Sequence, residues 1–174
     1  SGNIAVGNNA LQQNTIGSNN VAVGGLSANT TGSKNISIGP ALGANTIGVN
    51  NIGIGYWALR YNTTGNYNVA IGINSLMANT IGDKNTAVGH TAMNSNTTGI
   101  DNTAFGYNTL RGNITGRYNV AIGKWALNGN ADANISIGMN SMYSNTTGGS
   151  NVAIGYATMF QNTTGVQNVA VGYN

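Results

Sequence analysis

The side chains in this chain that could do chemistry are few and scattered. Among 174 residues there are six Lys or Arg, three Asp, one His and no Cys. General acid–base and nucleophilic catalysis need such groups to converge in pairs or triads. The lone His90 follows a Gly at a variable position, where a solvated side chain is expected. Asp83 and Asp101 stand about one repeat apart and could meet at a cation. Lys84 shares the column of Asp101, however, so a surface ion pair is the simpler expectation. Gly123-Lys124 is followed by Trp125 and lacks the spacing of a phosphate-binding loop. We therefore expect no enzymatic activity, no catalytic residue, no cofactor and no metal. Asn-x-Ser/Thr triplets such as Asn62 and Asn96 are read as products of the repeat rather than glycan acceptors.

Aromatic residues are better candidates for recognition. Tyr56, Tyr107 and Tyr156 each follow a Gly, and Trp57 and Trp125 come one place later. Rings at exposed turns can stack on the apolar faces of sugars or anchor a protein partner. These five are the candidate receptor or glycan contacts. Rings that cover a corner of the fold, or line a contact between protomers, would give the same pattern.

Composition narrows the remaining classes. The formal net charge of +3 rests on too few cations to track a phosphate backbone, so no nucleic acid partner is expected. No apolar run approaches the roughly 18 residues of a membrane span, so no insertion is expected. Charged residues are 5% of the chain, with 27 Gly and 32 Asn. A disordered tract could look like this, but aliphatic residues recur at fixed places.

That recurrence is the organising feature. Asn-x-Ala-Ile/Val-Gly begins at Asn3, Asn20, Asn35, Asn51, Asn68, Asn85, Asn102, Asn119, Asn134, Asn151 and Asn168. The usual step is 17 residues, shortened to 15, 16 and 15 after Asn20, Asn35 and Asn119. Numbered from its opening Asn, the unit reads Asn, x, Ala, Ile/Val, Gly, x, x, small, Leu/Met, x, x, Asn, Thr, Thr/Ile, Gly, x, x. Two residues are missing before Leu26, one near Pro40, and two in Asn130-Ala131-Asp132-Ala133. Residues 1–174 read as one array and, with no initiator Met, as a fragment of a longer fibrous protein.

Positions 2 to 4 alternate large, small, large, the period of a short strand. Gly and Asn at positions 1, 5, 12 and 15 suit turns. Equivalent residues recurring in register predict an all-β, parallel β-solenoid of about ten 17-residue coils. Asn columns would then form ladders of stacked amides. We expect the Ile/Val of positions 2 and 4, with Leu/Met at position 9, to be core. Position 3 should then face away, and its small residues predict a homo-oligomer, a trimer by preference, with Ala22, Ala70, Ala87, Ala104 and Ala121 at the contact. Position 14, with Ile16, Ile47 and Ile81, reads as partly core. The Thr column at position 13 invites an ice-binding reading, disfavoured because such a face needs two ranks at i and i+2.

The unit, as in Gly55-Tyr56-Trp57-Ala58-Leu59-Arg60-Tyr61-Asn62-Thr63-Thr64-Gly65, resembles repeats of bacteriophage tail-fibre proteins. The Asn-Val-Ala-Ile-Gly cores at Asn68–Gly72, Asn119–Gly123 and Asn151–Gly155 are similar to head repeats of trimeric autotransporter adhesins. The resemblance covers essentially the whole chain. It implies an extracellular, trimeric structural or adhesive segment of a phage tail fibre that contributes to host attachment on the virion. A bacterial surface adhesin head is the alternative, and a cell-surface glycan or protein receptor is the implied partner. The non-catalytic part of a glycan-degrading tail spike is the remaining option.

Overall fold

A computed structural model describes residues 2–174. Each repeat contributes one three-residue strand: β1 (Ile4–Val6), β2 (Val21–Val23), β3 (Ile36–Ile38), β4 (Ile52–Ile54), β5 (Val69–Ile71), β6 (Thr86–Val88), β7 (Thr103–Phe105), β8 (Val120–Ile122), β9 (Ile135–Ile137), β10 (Val152–Ile154) and β11 (Val169–Val171). They form one parallel sheet in sequence order. Register is repeat on repeat, with Val69, Ala70 and Ile71 opposite Thr86, Ala87 and Val88. The chain is a β-solenoid whose rungs, at about 4.8 Å each, build a rod roughly 50 Å long.

Strands stop after three residues because the next residue is Gly in a left-handed conformation, as at Gly72 with φ 126°. The corner that follows is unusual. Positions 7 and 9 also take positive φ, including Trp57 at 60°, Leu59 at 50° and Met93 at 50°. Bulky L-residues pay roughly 1–2 kcal/mol for this conformation. The stack holds them there: Leu76 N–H donates to Ala92 O, and Asn74 N–H to Tyr56 O, so each corner is bonded to both neighbours.

The strands face the opposite way from the sequence-based expectation. Position 3 points inward, and Ala22, Ala70, Ala87, Ala104 and Ala121 are fully buried inside the coil. The large residues of positions 2 and 4 point outward, with Val23, Ile38, Ile71, Ile122 and Ile154 all exposed. The reason is space. Opposite the strand, the position-9 side chains Leu26, Leu42, Leu59, Leu76, Met93, Leu110, Leu127 and Met142 are already fully buried. At Gly53, an added Cβ would lie 3.1 Å from Leu42 Cγ and 3.2 Å from Ala41 Cβ. A coil this narrow admits one or two side-chain heavy atoms at position 3 and nothing larger. Small residues there record the chain's own core, and those five alanines cannot touch another protomer. Position 14 is also corrected, since Ile16, Ile47 and Ile81 are exposed.

Two Asn ladders form the polar half of the core. In the position-1 column, Asn68 Oδ1 accepts from both Asn85 N–H (3.0 Å) and Asn85 Nδ2 (3.2 Å). In the position-12 column, Asn79 Nδ2 donates to Asn62 Oδ1 at 2.8 Å. One carbonyl ties the columns together, because Gly82 O accepts from Asn68 Nδ2 at 2.8 Å and Asn79 Nδ2 at 2.9 Å. A Cβ on Gly82 would overlap Asn79 Oδ1 and Gly99 O, which is why position 15 is Gly. Buried amides are tolerable only when bonded this fully.

The short repeats test that rule. The first ladder runs through them unbroken, from Asn20 to Asn35 and from Asn119 to Asn134. The second breaks in the repeat that opens at Asn119, leaving Asn113 Oδ1 buried without a partner. Asn130 there takes another task. Its Oδ1 accepts from the N–H groups of Ile114 (2.9 Å), Thr115 (2.7 Å) and Gly116 (2.9 Å). Elsewhere a backbone carbonyl does this, as Thr97 O does for Thr80, Ile81 and Gly82. An amide oxygen replaces the carbonyl that the deletion removed.

Candidate functional site

Two surfaces stand out, a sheet face and a corner. Outward side chains at positions 2 and 4 make two parallel ranks, one pair per rung across eleven strands. Apart from Thr86 and Thr103 the ranks are Val and Ile, with Phe105 in the second. Phe105 is 57% exposed and Ile122 39%. At about 50 Å by about 10 Å the strip is on the order of 500 Å², the size at which an apolar patch marks an interaction site. No charged residue stands in either rank.

The corner carries the aromatic residues. His90 stacks on Tyr107 (centroids 5.4 Å, interplanar 16°), and Tyr107 leads to Trp125 at 6.3 Å. Trp125 meets Tyr143 edge-on at 6.3 Å, and Tyr143 stacks on Phe160 at 5.3 Å and 8°. Five successive coils thus contribute one ring each to a continuous stripe that drifts from position 6 to position 10. Tyr156 begins a second stack with Tyr173 at 5.0 Å. Tyr56 and Trp57 form a separate group, centroids 4.7 Å apart, with the Arg60 guanidinium 4.1 Å over the Trp57 ring. Lys124 covers Trp125 in the same way at 4.5 Å.

All five candidate contacts therefore lie on this corner, but they are not one site. Tyr107 and Trp125 belong to the stripe, Tyr156 to its neighbour, and Tyr56 with Trp57 to the group around Arg60. Stacked rings spend their faces on each other and offer edges outward, which suits closing the corner better than receiving a flat sugar face. Reading positions 6 and 7 alone misses Tyr143 and Phe160 at position 10. Their signal is the recurrence of an aromatic in the same column of adjacent repeats.

The polar candidates are dispersed. Asp83 Oδ1 accepts from Asn66 N–H at 2.6 Å, so it serves the backbone of the preceding coil. The His90 ring hydrogen-bonds only to its neighbour Thr91. Among the described residues no three His, Cys, Asp or Glu side chains gather as a metal site would need. The position-13 hydroxyls are used internally: Thr63 Oγ1 donates to Thr80 O at 3.0 Å and Thr80 Oγ1 to Thr97 O at 3.2 Å. No helix is long and apolar enough to cross a membrane. Comparison with protein families, with curated proteins and with solved structures finds no match.

Proposed function

We propose that this chain is a rod-forming structural and adhesive segment of an extracellular attachment fibre, a phage tail fibre by resemblance, that assembles through its aliphatic sheet face. The observation that carries the reading is the double Val/Ile rank. Burying a Val or Ile side chain fully is worth about 1.5–3 kcal/mol, and these are roughly half buried already. Covering a score of them would yield on the order of 15–30 kcal/mol per chain, beyond the roughly 4–15 kcal/mol that association costs. The partner must offer ridges at the same 4.8 Å step over the whole length. A second copy of the chain does so by construction, and parallel copies about a common axis keep every rung in step. Three copies is the number the resemblance implies.

The same face argues against ice binding. Its ranks do have the i, i+2 spacing, but they are almost free of hydroxyls, and the Thr column is bonded within the stack.

Sedimentation of the wild type and of Ile71→Asp/Ile122→Asp tests the reading. The wild type should have the mass of three chains, and the variant should be monomeric with unchanged β-sheet circular dichroism. A monomeric wild type, or a double variant that still assembles, would overturn it. Thermal hysteresis in ice-recrystallisation assays would instead assign the face to ice.

A further inference from the structure

Two adjacent repeats are short at the same place. Full coils carry four residues between strand and position-9 residue, as in Gly55-Tyr56-Trp57-Ala58 before Leu59. The second repeat has only Gly24-Gly25 before Leu26, and the third has Gly39-Pro40-Ala41 before Leu42. Leu26 and Leu42 nevertheless keep their buried, left-handed places, with φ of 61° and 49°. The deletions thus leave the core intact and remove only the protruding corner. Because the repeats on either side keep that corner, a notch two rungs high is cut into the rod, about 10 Å along its axis. It is a cleft of about 490 Å³, within the roughly 300–1,000 Å³ of small-ligand sites.

The walls differ in chemistry. Asn8 and Asn9 of the first repeat supply amides on one side; Trp57, Arg60 and Tyr61 of the fourth stand on the other. Between them the floor is bare backbone at Gly24, Gly25 and Gly43, with the Ser27 hydroxyl beside it. Among the described residues Arg60 is the sole charged one lining the cleft, and no carboxylate does. Its guanidinium carbon lies over the Trp57 ring, 4.1 Å from the centroid, and 5.3 Å from that of Tyr61. A guanidinium oriented by stacking presents its N–H fork edge-on, the geometry that takes a carboxylate with two bonds.

We infer that this notch binds an acidic saccharide, the Arg60 fork receiving the sugar carboxylate, the Asn8 and Asn9 amides its hydroxyls, and the Tyr61 ring its apolar edge, while Trp57 holds the guanidinium in place. The inference rests on the attachment reading, for which it names a ligand class, but on a different part of the molecule from the assembly face. The stripe closes a corner and the Trp57 group walls a gap; the fifth repeat, with Ile73 and Asn74 at positions 6 and 7 and no ring, separates the two.

The test is calorimetric titration of the assembled protein with trigalacturonic acid and 3′-sialyllactose, each beside its neutral counterpart, galactotriose and lactose. At least one acidic sugar should bind, and its neutral counterpart at least tenfold more weakly. Arg60→Gln should remove that preference, Trp57→Ala should lower affinity at least tenfold, and Trp125→Ala should change nothing. Inserting Asn-Asn between Gly24 and Gly25 restores the corner of the second repeat, fills the side of the notch next to Asn8 and Asn9, and should abolish binding without lowering Tm. Failure of both acidic sugars to bind at millimolar concentration would overturn the proposal, as would equal binding of the neutral sugars or an unaffected Arg60→Gln variant. Oligomer mass is read separately, so an intact assembly without sugar binding refutes the cleft and not the attachment reading.

Discussion

Asn85→Ala measures what a single rung of the first ladder contributes. Asn85 Oδ1 accepts from Asn102 N–H and Asn102 Nδ2, both at 3.1 Å. Its own Nδ2 donates to Asn68 Oδ1 at 3.2 Å and Gly99 O at 2.8 Å. After truncation Asn68 Oδ1 still receives Asn85 N–H, Gly99 O still receives Asn96 Nδ2, and Asn102 Nδ2 keeps Gly116 O. Asn102 N–H alone is orphaned, fully buried, at a cost of about 1–3 kcal/mol. With the three other lost bonds at about 0.5–1.5 kcal/mol each, the total is about 2.5–7.5 kcal/mol. At roughly 2–4 °C per kcal/mol for a chain of this size, Tm should fall by about 5–30 °C. Asn94 is the control, since its side chain makes one partly buried bond, to Asn74 O at 3.1 Å. Asn94→Ala should cost under about 1 kcal/mol. Thermal melts followed by circular dichroism compare the two, and equal shifts would refute the ladder as a stabilising element.

Other substitutions probe other parts of the stack. Asn130→Ala strips three N–H groups of their acceptor and should destabilise by about 2–4 kcal/mol, whereas Asn130→Asp keeps the oxygen and should retain most of the stability in urea titrations. Leu76→Ala should cost about 2–5 kcal/mol by opening a cavity in the inner column, while Ile71→Asp should leave the unfolding midpoint of the dispersed monomer within about 0.5 kcal/mol, as surface changes do. Asn74→Gly removes a buried unpaired Oδ1 and relaxes a left-handed φ of 56°; it should raise Tm, and a fall would contradict the strain assigned to position 7.

The repeat made the solenoid, its parallel register and both Asn ladders legible in the sequence. Those features need only that equivalent residues stack, which an in-register period of 17 already states. The facing of the strand was not legible. Alternation says that Val69 and Ile71 share one face and Ala70 the other, but not which face is inside. That depends on how much room Leu59 and Leu76 leave, a property of the closed coil. Reading size as burial inverted the answer, because the β-branched residues lie on the outer surface. The left-handed corner was equally hidden, since Trp57, Leu59 and Met93 are residues that local preference keeps out of that region. The candidate rings were found by type and position, and the ring-free fifth repeat already divides them; that the Trp57 group walls a cleft depends on deletions whose effect is purely spatial.

The central claim is that small residues face in and aliphatic ones face out against another copy of the chain. Thiol labelling tests it most directly, because the protein has no cysteine. Ala87→Cys and Val88→Cys would each be made in the wild type and in the Ile71→Asp/Ile122→Asp background. Cys at position 87 should be protected in both, until the coil unfolds. Cys at position 88 should be protected in the assembled wild type and react at the rate of a free thiol in the dispersed variant. Rapid labelling at 87 with protection at 88 in the dispersed variant would contradict the account.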